Sequence, residues 1–273
     1  MSEIITRYLT NNPCYKAGRT IEIQGLMLHS VGCPQPSPLV FIKNWDCASY
    51  KSACVHGFIG EDAAYITLPC MEMPGKAMRG WHGASGSKGS CNNTHIGVEM
   101  CEPASLRYTG GASFTCSDPE GARAFVKKTV ANAAELFAQL CIFHGLDPLT
   151  DGAIISHAEG YRRGIASNHG DPEHLFRGLG MDYSMDRFRA DVKARVDALT
   201  TKNDKEDEDV KRYNTMKELP DWAKPTIQKL IAMGCIRGGG APIDADGNPT
   251  DMDLSHDMVR VFVVNDRAGI YPD

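Results

Sequence analysis

Residues 21–30 constrain the fold more than any other stretch, because they alternate between apolar and polar at first and then become continuously apolar. That change is typical of a strand that enters the buried centre of a sheet. Two further apolar runs, 55–59 and 63–68, are separated by Gly60-Glu61-Asp62 and predict a β-hairpin. A fourth run, 153–156, predicts another strand.

Two segments carry the periodicity of helices that pack on a sheet. The first follows Ser117 and Glu120, whose spacing predicts a capping box, and Gly145 and Pro148 predict its end. The second begins at Ser184. The apolar stripes are Val126, Val130, Ala133, Phe137 and Leu140 in the first, and Met185, Phe188, Val192, Val196 and Leu199 in the second. Strands and helices therefore mix, and we predict an α/β fold with a central mixed β-sheet flanked by α-helices.

Two histidines and an aspartate follow the run 153–156 closely. They are His157, His169 and Asp171, and the first and last are 14 positions apart (171 − 157). Imidazole and carboxylate groups at a strand end and in its following loop suit a first-row metal such as zinc. A catalytic zinc has three protein ligands and one open position, so a further ligand should come from elsewhere. His29, which ends the apolar run 26–28, offers one.

Four stretches occur in an order that resembles a known family. They are Leu28-His29-Ser30, Trp81-His82, Ile96-Gly97-Val98-Glu99, and the loop from His157 to Pro172. Together they resemble the zinc-dependent type-2 N-acetylmuramoyl-L-alanine amidases, which are related to peptidoglycan recognition proteins and many phage lysins. Between the first two, residues 53–59 are similar to the family's Ser/Ala-x-His-Tyr strand, with His56 expected to be structural. The resemblance covers residues 20–180.

The resemblance implies a zinc ion (Zn2+) as cofactor and bacterial peptidoglycan as substrate. It implies that His29, His157 and Asp171 hold the zinc and that Glu99 is the general base. Strand alternation puts Glu99 on the same face as His95, away from the apolar side. A carboxylate within an apolar stretch is costly unless it has a task or a partner. The alternative reading of Glu99 is a solvated or salt-bridged strand residue.

The closing loop departs from the family at one position. The family often has Lys two residues before the final ligand, and here that position is His169. A protonated His169 can stabilise the tetrahedral oxyanion or donate a proton to the leaving amine. Alternatively, His169 is the third ligand and Asp171 supports it by a hydrogen bond. We predict Asp171 as the ligand, since the family's final ligand is either Cys or Asp.

Further residues are candidates for substrate binding. Trp81 and His82 are predicted to form a cleft wall, with Trp81 stacking on a sugar or peptide plane and His82 bonding a substrate oxygen. Arg162 and Arg163 are expected to bind peptide carboxylates, unless they belong to a solvated loop. The polar, Gly- and Ser-rich segment 83–93 is predicted to be a loop over the site.

Composition excludes several functional classes. A formal net charge of −5 argues against nucleic-acid binding, and no stretch approaches 18 uninterrupted apolar residues, so no membrane span is predicted. The first residues contain no apolar segment, so no secretory signal is expected. Cytoplasmic synthesis followed by action on the wall during host cell lysis fits a phage-type endolysin, and an intracellular wall-fragment recycling amidase fits as well. Most of the ten cysteines are expected to be thiols, and Cys101 and Cys141 are expected to be buried as small hydrophobic residues, although Cys33 and Cys47 could pair after release.

A charged segment indicates the domain organisation. Residues 201–210 are almost entirely polar or charged and predict a linker between a catalytic domain, 1–200, and a small helical C-terminal module, 211–273. Helices are predicted in this module over 219–234 and 255–264. The module is loosely similar to one surface-layer-homology-type repeat, a module linked to wall binding. The alternative is that its helices dock on the catalytic domain or form a homo-oligomer.

Two other functions compete with a zinc amidase. A non-catalytic peptidoglycan-binding protein on the same fold predicts the loss of one or more ligands, whereas all three candidates are present. A cysteine amidase requires a Cys in a nucleophile context, such as a helix N-terminus beside a basic residue, and the sequence offers none. A zinc protease of the HExxH class is excluded because that motif is absent.

Overall fold

The computed structural model describes residues 3–208 and 211–272, and only the helical backbone of 202–208. The chain divides into two compact units, Met1–Ala198 and Leu199–Asp273. A helix that begins at Met185 continues to Glu208, through most of the segment predicted as a linker, and residues 209 and 210 lie outside the described part. The assignment of 201–210 as a linker between two functional domains stays a prediction.

A six-stranded sheet forms the centre of the first unit. The strands of this unit are β1 (Glu3–Thr6), β2 (Thr20–Glu22), β3 (Gly25–Ser30), β4 (Gly57–Ile59), β5 (Ala63–Ile66), β6 (Lys76–Met78), β7 (His95–Met100), β8 (Leu106–Gly110), β9 (Ser113–Cys116) and β10 (Ile154–Ser156). The spatial order in the central sheet is β1-β5-β4-β7-β3-β10. Its neighbours are parallel except for β4 and β5, the hairpin that the sequence predicts. The mixed central sheet is therefore confirmed.

The continuously apolar strands lie where burial is greatest. Every residue of β3 is buried, and the same is true of β4 and β10. Strands covered on both faces need apolar residues at successive positions, which explains why these segments do not alternate. The prediction of a central strand at 21–30 is correct in its second half, whereas Ile21 belongs to β2, which pairs with β6 in a separate two-stranded sheet.

The register of three parallel strands aligns their polar ends. His29 on β3 is level with Glu99 on β7, and Leu28 is level with Ser156 on β10. His157 follows Ser156 directly. Because the carboxyl ends of parallel strands meet at one edge of the sheet, His29, Glu99 and His157 converge there, where α/β proteins commonly bind their ligands.

Helices flank the sheet. They are α1 (Pro13–Ala17), α2 (Pro38–Trp45), α3 (Pro119–His144), α4 (His157–Arg163), α5 (Glu173–Gly178) and α6 (Met185–Glu208), with a 3-10 turn at Cys91–Asn93. The predicted apolar stripe of α3 is buried throughout. The predicted cap is wrong by one residue, because Asp118 is the N-cap and accepts a hydrogen bond from Gly121 N at 3.0 Å. Gly145 ends α3 in the left-handed conformation, as expected.

The second unit has a small core of its own. It contains β11 (Arg212–Tyr213), α7 (Lys224–Ala232), β12 (Leu254–Ser255) and α8 (His256–Arg267). Helix α7 starts later than predicted because Pro225 occupies its first turn. Ser255 caps α8, close to the predicted start. The pairing of β11 with β12 was not predicted, since two-residue strands carry no periodic signal. The buried core is formed by Tyr213, Leu219, Ala223, Ile227, Leu230, Met252, Leu254, Val259 and Val263.

Two predictions from composition can be compared with the structure. All ten cysteines are free, including Cys33 and Cys47, and Cys101 and Cys141 are buried as expected. None of the helices within the described ranges is long and apolar enough to cross a membrane.

Candidate metal centre and active-site cleft

His29, His157 and Asp171 meet at the carboxyl edge of the central sheet. His29 lies near the end of β3, His157 is the first residue of α4, and Asp171 lies in the loop before α5. His29 Nδ1 is 3.0 Å from His157 Nδ1 and 3.2 Å from Asp171 Oδ2, and His157 Nδ1 is 3.4 Å from Asp171 Oδ1. The three side chains expose only 1%, 6% and 11% of their surface. The sequence therefore identified three residues that the fold brings into contact.

Local hydrogen bonds hold these groups in place. Helix α4 begins with a capping box, in which Ser156 and Glu159 each accept a hydrogen bond from the other's backbone N–H at 3.0 Å. This cap fixes the direction in which His157 leaves the strand. The backbone N–H of Ser30 donates to Asp171 Oδ2 at 3.3 Å, and that of Ala158 donates to the Asp171 carbonyl at 3.3 Å. The loop that carries Asp171 is thereby tied to β3 and to α4.

The donor set fits a tetrahedral metal ion. Ligand bonds of about 2.0–2.2 Å to a tetrahedral zinc place the ligand atoms about 3.3–3.6 Å apart. The observed separations are 3.0 to 3.4 Å. Burial alone would raise the pKa of the Asp171 carboxyl, but the facing imidazoles of His157 and His29 outweigh this and hold that pKa below its ordinary range. Two ring nitrogens 3.0 Å apart cannot both carry hydrogens, so a cation between them and the carboxylate satisfies all three groups.

Glu99 lies beside the cluster. It is level with His29 on the neighbouring strand, and its Oε2 is buried without a hydrogen-bond partner in the described part of the chain. Burial raises the pKa of the Glu99 carboxyl well above its ordinary value, and the Asp171 and Glu102 carboxylates raise it further. An unpartnered buried carboxyl is costly to maintain and is typical of a group that exchanges a proton.

A cleft of about 710 Å³ opens over these groups. Its titratable side chains are His29, His82, Glu99, Tyr108, His157, His169, Asp171 and His174. The lining is completed by Ser30, Val31, Gly32, Gly111, Ala112, Asn168 and Gly170. A cleft of this volume is in the range that accepts a small molecule or a short segment of a polymer. The predicted base and the predicted metal ligands therefore share one accessible cavity.

His169 is exposed at the mouth of this cleft. Its Nδ1 lies 3.3 Å from His157 Nε2 and 3.0 Å from Ser167 Oγ. That nitrogen of His157 is on the opposite side of the ring from the one that faces Asp171. The geometry thus groups Asp171, rather than His169, with the two facing ring nitrogens. Which of the two binds a metal stays a prediction.

A hydrogen-bonded network in the cleft wall was not predicted. The Tyr108 hydroxyl donates to Glu102 Oε2 at 2.6 Å and lies 2.7 Å from His174 Nε2. Gly32 N donates to the other oxygen of Glu102 at 2.9 Å. The network joins the β8–β9 hairpin to the end of β7 and to α5. Glu102 follows Glu99 by three residues and His174 follows Asp171 by three, so the sequence can indicate that both lie near the site. Nothing in the sequence pairs Tyr108 with them.

Several predicted substrate contacts lie elsewhere. Trp81 packs with Leu9, Cys14, Cys54 and Leu68 and pairs with Cys54 through its backbone, outside the cleft lining. Arg163 forms an ion pair with Asp151, and Arg162 lies 3.7 Å from Glu173. A Trp-His pair and an Arg-Arg pair in sequence do not specify which side chain points to the cleft. Trp81, Arg162 and Arg163 are not among the residues that line this cleft, and their roles in substrate binding stay predictions.

The predicted loop over the site also lies elsewhere. Within residues 83–93, Lys88 N donates to Gly164 O at 2.7 Å and Cys91 N donates to Ile165 O at 2.7 Å. This segment is held against the end of α4 instead of covering the cleft. The β8–β9 hairpin, with Gly111 at its tip, forms the rim.

The remaining histidines near the site are anchored inside the protein. The two ring nitrogens of His56 lie 2.7 Å from Met78 O and 3.0 Å from Gly97 N, as expected for a structural residue. Those of His82 lie 3.0 Å from His29 Nε2 and 3.0 Å from His95 O. His82 borders the cleft, but both of its nitrogens already have partners within the protein, in contrast to the predicted bond to substrate.

Comparisons with known proteins identify the family and support the fold. Residues 19–174 match the family model described as N-acetylmuramoyl-L-alanine amidase. The structure is similar to that of Staphylococcus aureus hydrolase AmiA in complex with its ligand, at 21% identity over 73% of this chain and 86% of that chain, with a TM-score of 0.51. A mutant endolysin from Bacillus subtilis is 18% identical over 70% of this chain and 99% of that chain, with a TM-score of 0.47. No curated protein sequence matches the chain. Since the family model covers more than half of its length, this chain belongs to the N-acetylmuramoyl-L-alanine amidase family.

Proposed function

We propose that this chain is a zinc hydrolase that cleaves the amide bond between N-acetylmuramic acid and L-alanine in bacterial peptidoglycan, as a phage-type endolysin. The observation that carries this proposal is the convergence of His29, His157 and Asp171 beside Glu99 in one cleft. Two neutral imidazoles and one carboxylate leave a divalent cation with a net charge of about +1, which favours an anionic transition state. When bound, zinc supplies Lewis acidity that activates water at neutral pH and polarises a carbonyl.

Glu99 is the proposed general base. Its partnerless Oε2 is available to take a proton from the attacking water, and its position level with His29 puts it beside the ligands. The raised pKa of this carboxyl suits a group that must accept a proton and then pass it on to the leaving amine.

His169 is the proposed electrostatic partner of the substrate carbonyl. It is exposed to the cleft and rests against Ser167 Oγ and His157 Nε2, the nitrogen of His157 that does not face Asp171. A ring N–H donated from this position stabilises the charge that develops on the carbonyl oxygen.

A non-catalytic binding protein on the same fold is the competing function. Such a protein requires no base beside a complete donor set, whereas Glu99, both histidines and Asp171 lie together in this cleft. An intracellular amidase that recycles wall fragments uses the same chemistry. It differs in substrate, since it acts on soluble muropeptides and leaves intact wall uncut.

Removal of any one ligand is expected to abolish both metal binding and activity. His29→Ala, His157→Ala and Asp171→Ala should each reduce the zinc content from about one per molecule to background, because an incomplete ligand set does not retain the ion. Elemental analysis measures the metal, and the release of new L-alanine amino termini from purified peptidoglycan measures the cleavage. His144→Ala removes a histidine that is bonded to Cys70 O and Gly75 N and does not line the cleft, so it is the matched control. Full activity in metal-free protein would contradict the mechanism.

Substitution of the base should separate chemistry from metal binding. Glu99→Gln should retain zinc and lose about 10²–10⁴-fold in turnover, because the near-isosteric amide cannot accept a proton. His169→Ala should retain zinc and show a smaller loss of rate. Loss of zinc in the Glu99 variant would make this residue a ligand, and loss of zinc in the His169 variant would reverse the assignment of Asp171.

The raised pKa of Glu99 predicts a pH-dependent change in stability. A carboxyl whose pKa is higher in the folded than in the unfolded chain costs stability once the pH exceeds the ordinary value of 4.5, and the cost is absent below it. In metal-free protein, Glu99→Gln should therefore increase the free energy of unfolding at pH 8 more than at pH 4.5. Denaturant titrations of both proteins at the two pH values measure the difference. An equal change in the free energy of unfolding at both pH values would show that burial of the Glu99 carboxylate does not destabilise the fold.

The C-terminal module is proposed to associate with the cell wall. Its compact core of nine buried residues supports an independent unit, and some 60 residues make only a small core that benefits from a partner. A chain ending after residue 200 should remain a folded, zinc-loaded amidase with weaker wall association. Co-sedimentation with purified walls and light scattering distinguish the outcomes. If the particle mass from light scattering halves while wall binding is unchanged, the module serves dimerisation instead. An insoluble truncated chain would show that the domain boundary at residue 200 is wrong.

A further inference from the structure

His82 occupies a defined position behind the metal centre. Its ring lies edge-on to that of His29, with 5.1 Å between centroids, and 5.8 Å from that of His56. Its Nδ1 is 3.0 Å from His29 Nε2, and its Nε2 is 3.0 Å from the backbone oxygen of His95. His82 is thus the middle member of a chain that runs from a strand carbonyl to a proposed ligand.

The hydrogen-bond roles along this chain follow from its fixed end. A carbonyl oxygen only accepts, so His82 Nε2 carries the hydrogen that it donates to His95 O. The Nδ1 of neutral His82 is then an acceptor, and His29 Nε2 donates to it. A neutral His29 protonated on Nε2 has its lone pair on Nδ1, the nitrogen that faces His157 and Asp171.

We propose that His82 is a positioning residue that selects the metal-binding tautomer and ring orientation of His29. The proposal rests on the function proposed above. Ligand histidines usually donate their second N–H to a carboxylate, a carbonyl or water, and here a second imidazole, itself bonded to a strand, takes that place.

Gly97 provides the space that this arrangement needs. A Cβ built on Gly97 would lie 2.3 Å from His82 Cγ and 2.4 Å from its Nδ1. The ring therefore lies directly against the β7 backbone, and an alanine at 97 would displace it. Glycine within a strand weakens the strand and often marks a close approach of another group. The glycine in Ile96-Gly97-Val98-Glu99 thus contributes to the positioning of His29, because it leaves room for the ring of His82.

The backbone of His82 is held as well. Asn92 is buried, and its Oδ1 accepts hydrogen bonds from His82 N and Gly83 N, both at 2.9 Å. Hydrogen bonds thus hold the backbone of His82 as well as both of its ring nitrogens. The orientation of the ring is therefore set before any metal binds.

Zinc affinity tests the proposal without reference to turnover. His82→Ala should weaken zinc binding by about 10–100-fold, measured by competition with a chromophoric chelator. His82→Asn should recover part of the loss, because its amide oxygen can replace the Nδ1 acceptor. His144→Ala removes an imidazole with two backbone partners and should leave the affinity unchanged. Equal affinity in wild type and His82→Ala would overturn the proposal and leave the zinc mechanism standing.

A double-mutant cycle distinguishes positioning from general destabilisation. Gly97→Ala alone should weaken zinc binding, although residue 97 contacts no ligand, and should add little in the His82→Ala background because both changes act through one ring. Additive effects on affinity would contradict the proposal. Thermal melts of the metal-free variants check that each chain is folded.

Nitrogen NMR of the wild-type protein provides a test that requires neither a variant nor zinc. Long-range ¹H–¹⁵N spectra should show His82 protonated on Nε2 and bare at Nδ1, in metal-free and zinc-loaded protein alike. A hydrogen on Nδ1 would overturn the proposal. If zinc fails to bind at all while His82 shows the expected tautomer, the proposed function fails and the orientation of His82 stands.

Discussion

The parallel pairing of β3 with β7 on one side and β10 on the other is the constraint on which the site depends. This pairing puts His29 level with Glu99 and one step beyond the pair formed by Leu28 and Ser156. A register shift of one residue would turn these side chains to the opposite face of the sheet. The apolar residues that fix the register are therefore also the residues that assemble the site, although none of them takes part in the chemistry.

Buried polar and charged groups are concentrated at this edge of the sheet. Two ring nitrogens and a carboxylate lie within 4.8 Å of one another, and an unpartnered carboxyl from Glu99 is buried next to them. A buried carboxyl without a partner destabilises the fold, and its retention at Glu99 supports the functional role proposed for it. The surrounding network of Glu102, Tyr108 and His174 is hydrogen-bonded internally, except at the buried Nδ1 of His174, and keeps the cleft wall in place.

The sequence could predict what depends on local pattern. The apolar runs of β3 and β10 and the stripe of α3 identify the fold. His29 and His157 are found because each follows such a run, and Asp171 because it closes the loop in the family's order. It does not predict side-chain direction in irregular segments, and Trp81, which the sequence predicts in a cleft wall, packs in a separate cluster. Tyr108 was missed because its partners are brought to it only by tertiary folding.

Anomalous diffraction at the zinc edge, from crystals grown with zinc, measures directly whether these three residues bind the ion. We expect one strong peak at about 2.0–2.2 Å from Nδ1 of His29, Nδ1 of His157 and a carboxylate oxygen of Asp171, with the fourth position open to the cleft. A peak bound by His169 in place of Asp171 would change the ligand set. The absence of any peak between His29 and His157 at saturating zinc would contradict the proposed zinc mechanism.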